Sequence, residues 1–360
     1  MTREVARAVS PGVWALAWRR LRSDRVGMVA LAIVAACCLV VLLSAAGVLA
    51  ADWSAEVGVN YAPPSWVGAD PAEDAAGSPA VPRSAAAASN AGAKAGEEDD
   101  SLDPLADVMA AIRKDAAAGG AAATGTAARA ATLPLGGDKW GRDVLKKTIK
   151  GAQTSVLVGV AAALVAACLG TLFGALAGYF GRWVDGGFNG LYSAMSSIPY
   201  LLLILAVAAV LQRKGTLTII LILGLTGWTG IFRLVRGEYM KHKGREYVRA
   251  ADAIGASHGR RMFLHIFPNV SHVVLVQLSI LVVAFIKAEV ILSFLGFGVP
   301  VDVVSWGSML NEAQTELILG KWWQLAAAGT AMAILVTAFS LLTDALRDAL
   351  DPRLKGRAGG

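Results

Sequence analysis

The chain has 360 residues, of which 56% are hydrophobic and 17% are charged. A soluble globular protein carries about 25% charged residues, so this composition excludes an ordinary soluble domain. The net charge of +6 is concentrated next to apolar segments, in residues 1–25, in residues 233–261 and in the C-terminal tail. That placement is typical of membrane topology, not of nucleic-acid binding.

Apolar runs of about 20 residues can cross a hydrocarbon core roughly 30 Å thick. The sequence predicts an all-α polytopic membrane protein with six such spans, at 26–50, 155–180, 198–211, 217–235, 272–297 and 323–346. The first could instead be a cleaved signal peptide, although its length exceeds the roughly 7–15 residues of a signal core. Because Lys and Arg near span ends stay cytoplasmic, both termini and the loop after the fourth span are expected in the cytoplasm.

Residues 1–25 are predicted to form a cytoplasmic segment ahead of the first span. Trp14, Trp18 and Leu21 share one face of a helix there, with arginines on the other sides. Such a pattern indicates a helix lying in the membrane interface. A plain basic anchor is the alternative, and it predicts the same topology.

Residues 51–133 are a low-complexity insertion, rich in Ala, Gly and Asp, on the outer side of the membrane. Segments of this kind bury too little apolar surface to offset the entropy of ordering the chain. One short helix is predicted, with an apolar face made of Leu105, Val108, Met109 and Ile112. The insertion is either a tolerated disordered segment or a docking surface for an external partner.

Small residues recur every four positions in the second span, at Ala162, Ala166, Gly170, Gly174 and Gly178. Such a stripe lets two helix backbones approach closely in a membrane. We therefore expect Gly170, Gly174 and Gly178 to pack against a helix, either of this chain or of a partner.

The motifs of catalysis are missing from the sequence. It contains no G-x-x-x-x-G-K-[ST] phosphate-binding loop and no nucleophile with a paired base. His258, His265 and His272 are seven residues apart and would share a face only on an unbroken helix, which Pro268 is expected to interrupt. The chain is therefore predicted to be non-catalytic and to bind no cofactor and no metal.

Two ionisable residues, Lys287 and Glu289, lie inside the fifth predicted span. Charged groups in membrane helices usually face protein or water. At a spacing of two they point to nearly opposite sides of the helix, so they do not form a simple pair. They are candidates for a gate or a position on the transport path. Alternatively, Lys287 extends to the interface and Glu289 bonds a neighbouring helix.

The charged segment between the fourth and fifth spans contains residues that typically start and end helices. A helix is predicted over 245–254, and Gly255 can adopt the left-handed conformation that ends it. A second helix over 258–267 would pair Met262 with Ile266 at a spacing of four. Pro268 suits the first turn of the next helix. Such a protruding helical element could insert into a groove of another protein. The alternative is a plain basic loop, which would not require a helix-ending glycine or a helix-starting proline.

This segment resembles the "EAA" loop of ABC-importer permeases, whose pattern is E-A-A, three residues, Gly, nine residues and I-x-L-P. Ala250, Ala251, Gly255 and Pro268 match at that spacing, and Arg249 stands at the glutamate position. The fragments "EYVRAADAIGAS" and "HIFPN" are similar to the oligopeptide/dipeptide branch of the family. Further similar fragments cover most of the chain outside 51–133, including "PLGGDKWGRDVLKKTIKGAQTSVLVG", "AEVILSFLGFGV", "SWGSML" and "LRDALDPRLKG".

The resemblance implies a type I ABC-importer permease fold in a bacterial cytoplasmic membrane, with a core over 134–350, a coupling loop over 237–268 and a cytoplasmic tail over 351–360. It implies a homologous second permease, two ATPases that hold ATP and Mg, and an external substrate-binding protein as partners. Di- or oligopeptides are the implied cargo, while related permeases carry nickel or glutathione. The implied ATPase-coupling residues are Glu246, Tyr247, Ala250, Ala251, Asp252, Gly255, Ala256 and Pro268.

Two other functions remain open on the sequence. The chain could be a secondary transporter or channel that works without ATPases. It could also be a structural membrane protein whose outer insertion captures a partner.

Overall fold

The structure is a computed structural model that describes residues 13–68, 129–300 and 302–350, with the side chains of residues 13–17 left out. The chain forms two compact units, one of Met1–Trp53 with Val144–Gly360 and one of Ser54–Asp143. In the described part, regular structure is helical, and β-structure is limited to isolated bridges.

The first unit is a helical bundle. Its described helices are α1 (Val13–Ser23), α2 (Arg25–Ala45), α3 (Val144–Phe180), α4 (Arg182–Ser196), α5 (Tyr200–Leu211), α6 (Thr216–Thr226), α7 (Thr229–Lys243), α8 (Glu246–Ala253), a π-helical segment (Arg260–Ile266), α9 (Phe267–Phe294), α10 (Trp306–Ile318) and α11 (Trp323–Leu350).

Six membrane spans can be built from the described helices. The helices α2, α3 and α11, and the continuous helix Arg260–Phe294, are each long and apolar enough to cross a membrane. The pairs α4–α5 and α6–α7 meet the same criterion when each pair is taken together, with bends of 88° and 40°. The predicted all-α polytopic fold is confirmed, and its six spans correspond to these four helices and two bent pairs.

The third span differs most from its predicted form. Residues 198–211 were expected to cross the membrane, but α5 has only 12 residues. At 1.5 Å per residue it extends about 18 Å, which is too short for the hydrocarbon core. The glycine-rich stretch ahead of it forms α4, in which no residue is fully buried. Pro199 sits at the N-cap of α5 and separates the two helices.

The glycines of α3 bring it into close contact with α7. A methyl group added at Gly170 would lie 1.9 Å from Ile231 Cγ2, and one added at Gly174 would lie 2.8 Å from the carbonyl oxygen of Phe232. Gly178 likewise faces α7, where an added methyl group would lie 2.6 Å from the carbonyl oxygen of Arg236. The neighbour of the small-residue stripe is therefore a helix of this chain.

At one end of the bundle, α1 packs against the last turns of α11 and against α9. Leu21 of α1 packs with Ala345, Ala349 and Leu350 of α11, and Val276 of α9 lies against the same cluster. Leu21 thus points into the bundle, whereas Trp18 is 52% exposed. The expected shared face of α1 is split, because α11 supplies an apolar surface that takes up Leu21. The side chain of Trp14 lies outside the described residues.

The second unit is described over residues 54–68 and 129–143. These two stretches pair through isolated bridges, Glu56 with Arg142, Gly58 with Ala130 and Pro64 with Leu133. Gly141 has a φ of 76°, and an added methyl group would meet the carbonyl oxygen of Gly58 at 2.0 Å. Both ends of the predicted 51–133 insertion therefore have defined structure, which differs from the prediction. The short helix predicted around Leu105–Ile112 lies outside the described residues.

Candidate coupling site

The chain leaves α7 and begins α8 within three residues. Arg245 is extended (φ −74°, ψ 150°) and occupies the N-cap, and Glu246 lies in the first turn of α8. A carboxylate there is favoured by the partial positive charge of the helix N-terminus. The helix predicted over 245–254 is thus found as α8, Glu246–Ala253.

A Schellman motif ends α8. The N–H of Gly255 donates to the carbonyl of Asp252 (2.9 Å), and the N–H of Ala256 donates to the carbonyl of Ala251 (3.0 Å). Gly255 has a φ of 79°, and nothing lies within 4 Å of where its Cβ would be. The glycine is therefore required by the backbone conformation and not by lack of space.

The two sides of α8 face different surroundings. Val248 and Ala251 are buried, and Val248 belongs to an apolar cluster that includes Tyr239 of α7 and Met262 of the π-helical segment. On the other side Ala250 and Asp252 are exposed, and Ile254 at the end of the helix is 85% exposed. One side of the helix therefore packs on the bundle, and the other side is exposed.

The second helical stretch is not the α-helix expected over 258–267. Residues Arg260–Ile266 form a π-helix, and the N–H of Phe267 donates to the carbonyl of Met262, five residues back. Pro268 lacks an N–H, and in an α-helix its ring would clash with the carbonyl four residues back. A widened turn relieves that clash, so the helix continues through Pro268 into α9. The expected interruption at Pro268 is therefore wrong.

A chain of polar contacts ties α8 to the end of α3. Asp252 forms an ion pair with Arg261 of the π-helical segment. The Nη2 atom of Arg261 lies 2.9 Å from Nδ1 of His258, and that nitrogen lies 3.0 Å from the hydroxyl of Tyr179. The guanidinium of Arg261 also lies 5.9 Å from the ring centre of Tyr179. We call Asp252, Arg261, His258 and Tyr179 the polar relay.

Two further contacts hold the element to α7. The Tyr239 hydroxyl, fully buried, donates to the carbonyl of Met262 (3.2 Å). The Tyr247 hydroxyl lies 2.8 Å from Nδ1 of His242. Burial raises the pKa of Tyr247 above its ordinary value.

Lys287 and Glu289 face opposite sides of α9. Glu289 is fully buried and accepts hydrogen bonds from the hydroxyls of Ser155 on α3 and Ser293 on α9, both at 2.6 Å. Lys287 is exposed. Glu289 thus joins α9 to α3, and the two charged residues do not pair with each other.

Sequence reasoning missed a buried ion pair between α3 and α10. The Nζ atom of Lys147 is 2.5 Å from Oε2 of Glu312 and donates to Oε1 of Gln324 on α11 at 3.3 Å. Lys147 is 2% exposed. Its neighbour Lys146 is instead partly exposed and bonds Asp52, which lowers the pKa of the Asp52 carboxyl. The sequence could not show which of the two neighbouring lysines is buried, because that depends on where α10 packs against α3.

Within the described residues, no group of three or more His, Cys, Asp or Glu side chains is arranged to hold a metal ion. His258 is engaged in the polar relay.

A polytopic helical bundle with an ordered helical element between its fourth and fifth spans defines a membrane-embedded protein of the transporter class. The family model described as "Binding-protein-dependent transport system inner membrane component" matches residues 170–356. The chain belongs to that family and is a permease of a transport system of this kind. A second model, "N-terminal TM domain of oligopeptide transport permease C", matches residues 12–64. The family is one of binding-protein-dependent systems, which argues against a stand-alone secondary transporter.

Individual relatives agree with the family match. The dipeptide transport system permease protein DppC of Bacillus subtilis (strain 168) is 39% identical over 221 residues, which cover 61% of this chain and 69% of the relative. The oligopeptide transport system permease protein OppC of the same organism is 36% identical, over 61% of this chain and 72% of the relative. The OppC protein of Haemophilus influenzae is 33% identical, over 61% and 70% respectively.

Proposed function

We propose that the chain is the non-catalytic permease subunit of an ATP-driven importer that carries di- or oligopeptides across a bacterial cytoplasmic membrane. The cargo class is supported by the names of the relatives, which are dipeptide and oligopeptide permeases. ATP and Mg are bound by partner ATPases in this proposal, and a homologous second permease and an external binding protein complete the assembly.

The observation that carries the proposal is the seating of α8. Its outer surface offers Ala250, Asp252 and the exposed Ile254, a small patch suited to the groove of an ATPase. Ala251 and Val248 face inward and fix the orientation of that patch. Gly255 and Ala256 set the turn that follows it. Glu246 and Tyr247 begin the helix, and Tyr247 holds it to α7.

Movement of α8 would reach the spans without passing through a flexible loop. The polar relay connects α8 to α3, and the π-helical segment continues through Pro268 into α9. A displacement imposed by closing ATPases is therefore delivered to two spans at once. This is the mechanical role that we assign to the coupling residues.

The proposed topology places the termini and α8 in the cytoplasm. The N-terminal helix α1 packs against the end of α11 and against Val276 in the first half of α9. Arginines and lysines near all three favour the cytoplasmic side. Residues 134–350, including the coupling loop 237–268, then form the permease core.

We further infer that Glu289 and Lys287 act at a gate. Glu289 fastens α9 to Ser155 of α3, and the backbone N–H of Trp306 at the start of α10 donates to the same serine hydroxyl (3.2 Å). Three helices thus meet at the Ser155 hydroxyl, which accepts from α10 and donates to the buried Glu289 carboxylate, and this connection can hold them in one arrangement. Lys287, on the exposed side of α9, is the charge available to the passage.

The coupling role is tested with Gly255→Val and the matched control Gly259→Val. Both glycines have open space around them, but Gly255 has a φ of 79° and Gly259 a φ of −58°. A β-branched residue is strained only at the first position, because positive φ is nearly closed to it. We expect Gly255→Val to abolish co-purification of the ATPases and peptide uptake, with normal membrane insertion. Normal uptake by this variant would contradict the proposal.

A further inference from the structure

An apolar groove runs between α2 and α11 on the outside of the bundle. It encloses about 610 Å³ and is lined along α2 by Val26, Val29 and Ile33 and along α11 by Ala333, Ile334 and Leu341. Arg25 also lines the groove and is its only fully charged lining residue. Measured along α2 from Arg25 to Ile33, the groove is roughly 12 Å long at 1.5 Å per residue.

The charged residue lies at one end of the groove. The position of Gly27 is next to Ala345, since a methyl group added at Gly27 would lie 2.7 Å from Ala345 Cβ. Arg25 therefore lies toward the C-terminal end of α11, the same end as Leu21. From there the apolar lining runs along both helices into the span.

The guanidinium of Arg25 is exposed and makes no ion pair with another described residue. The nearby carboxylate of Asp24 instead accepts a hydrogen bond from the N–H of Val26 (3.0 Å) as the N-cap of α2. Beyond Leu341 the exposed carboxylates of Asp344 and Asp348 follow on α11, so this end of the two helices carries charges of both signs. Arg25 is nevertheless the one charge among the described residues that line the groove, and apart from Thr337 its other lining residues are apolar.

We propose that this groove binds one anionic phospholipid from the leaflet at the arginine-rich end of the bundle. An acyl chain lies along the apolar walls, and the phosphate of the head group pairs with Arg25. Each Lys or Arg near an anionic membrane surface contributes about 1 kcal/mol to lipid binding, which corresponds to about fivefold in affinity. Because the groove holds the acyl chain in a fixed position, Arg25 contacts the head group of that one lipid. The arginine therefore selects which lipid binds, beyond a general attraction to an anionic membrane surface.

Charge argues for a lipid in preference to a protein helix as the occupant. A partner helix in this groove would have to place an acidic residue beside Arg25 at the membrane surface, whereas an anionic lipid brings its phosphate to that depth. The alanines at positions 30, 333 and 338 also leave a shallow channel between the two helices. This inference does not depend on the cargo or on the ATPase partners.

The test uses the purified full-length protein and native mass spectrometry. Phosphatidylglycerol and phosphatidylcholine with identical acyl chains are titrated separately, and the fraction of protein carrying one lipid is measured. We expect phosphatidylglycerol to bind about fivefold more tightly. Arg25→Gln should remove that preference, and Arg25→Lys should retain it. Arg213→Gln, the same change at an exposed arginine outside the groove, should have no effect.

A second variant tests the groove itself. Ala333 is exposed and lines it, so Ala333→Trp fills the channel without crowding a buried position. This variant should weaken binding of both lipids at least fivefold, while Leu164→Trp on the exposed face of α3 should not. Equal affinity of the wild type for both lipids, or an unchanged preference in Arg25→Gln, would overturn the proposal. So would cross-linking of Ile334→Cys to another protein chain in the membrane, which would make the groove a protein interface.

Discussion

Asp252 and Arg261 connect the exposed surface of α8 to the membrane helices. Asp252 is 63% exposed and Arg261 is 13% exposed. Ion pairs with an exposed member stabilise a fold by about 0.2–1 kcal/mol. In the proposed coupling mechanism this pair therefore acts mainly by transmitting movement and not by stabilising the fold, because Arg261 also contacts His258 and Tyr179.

Replacing Arg261 should separate coupling from stability. We expect Arg261→Ala to lower peptide uptake per ATP hydrolysed severalfold, with ATPases still bound and the unfolding free energy changed by no more than about 1 kcal/mol. The measurement is uptake and ATP hydrolysis in proteoliposomes. Lys241→Ala is the matched control, since its exposed pair with Glu238 does not reach α3. The exchange of Asp252→Arg with Arg261→Asp should restore part of the coupling; an unaltered ratio in Arg261→Ala would refute the relay.

Glu289 offers a second prediction for a single residue. In Glu289→Ala, two buried serine hydroxyls lose their acceptor, and each such loss costs about 1–3 kcal/mol. Glu289→Gln retains an acceptor oxygen and the side-chain shape. We expect thermal unfolding in detergent to show a loss of about 2–4 kcal/mol for the alanine variant and about 1 kcal/mol for the glutamine variant. Equal losses would mean that charge, and not the acceptor, is what the site requires.

The coupling element shows how far local patterns determine secondary structure. Gly255 predicts the end of α8, because the Schellman motif depends on only a few neighbouring residues: a glycine with positive φ and two backbone hydrogen bonds to the last turn of the helix. The π-helical segment could not be predicted in this way. Apolar residues at a spacing of four fit an α-turn and a π-turn about equally well, and the choice depends on the proline ring and on the core that holds Met262 and Ile266.

The pairing of α3 with α7 leads to a prediction for these elements. A side chain at Gly174 would meet the carbonyl of Phe232 at 2.8 Å and Cβ of Val235 at 2.9 Å. Gly174→Val should therefore destabilise the protein by at least about 1–3 kcal/mol, seen as a lower thermal midpoint and lower abundance in the membrane. Gly186→Val is the control, because nothing lies within 4 Å of its Cβ position. Similar stability of both variants would show that α3 and α7 are not in close contact.

At the scale of the whole molecule, the second unit tests which parts are needed for transport. Residues 54–68 and 129–143 pair with each other, so the segment between them can be removed without breaking those bridges. We expect a variant with residues 69–128 replaced by a short Gly-Ser linker to insert normally and to retain peptide uptake within about twofold of the wild type. Shortening this loop should change the free energy of unfolding only slightly, because the entropy of loop closure varies slowly with loop length.

Uptake by this deletion variant is measured in cells that express the other subunits. Loss of uptake with normal insertion would show that the insertion captures an external partner, which was the alternative left open by its composition. A control that replaces residues 54–68 should fail to form the paired segment and is expected to lower the amount of protein in the membrane.

The sequence by itself determined the class of this protein. Six apolar segments, arginine near their ends and the punctuation around Gly255 each act over a few residues, and the bilayer imposes one solution on segments of that length. Only the tertiary structure decided which helices meet. The partner of the glycine stripe, the buried state of Lys147 and the groove beside Arg25 depend on residues at least 58 positions away in the chain. A local sequence pattern indicates whether a residue can pack closely or form a polar contact. Which residue it contacts is determined only when the membrane helices assemble.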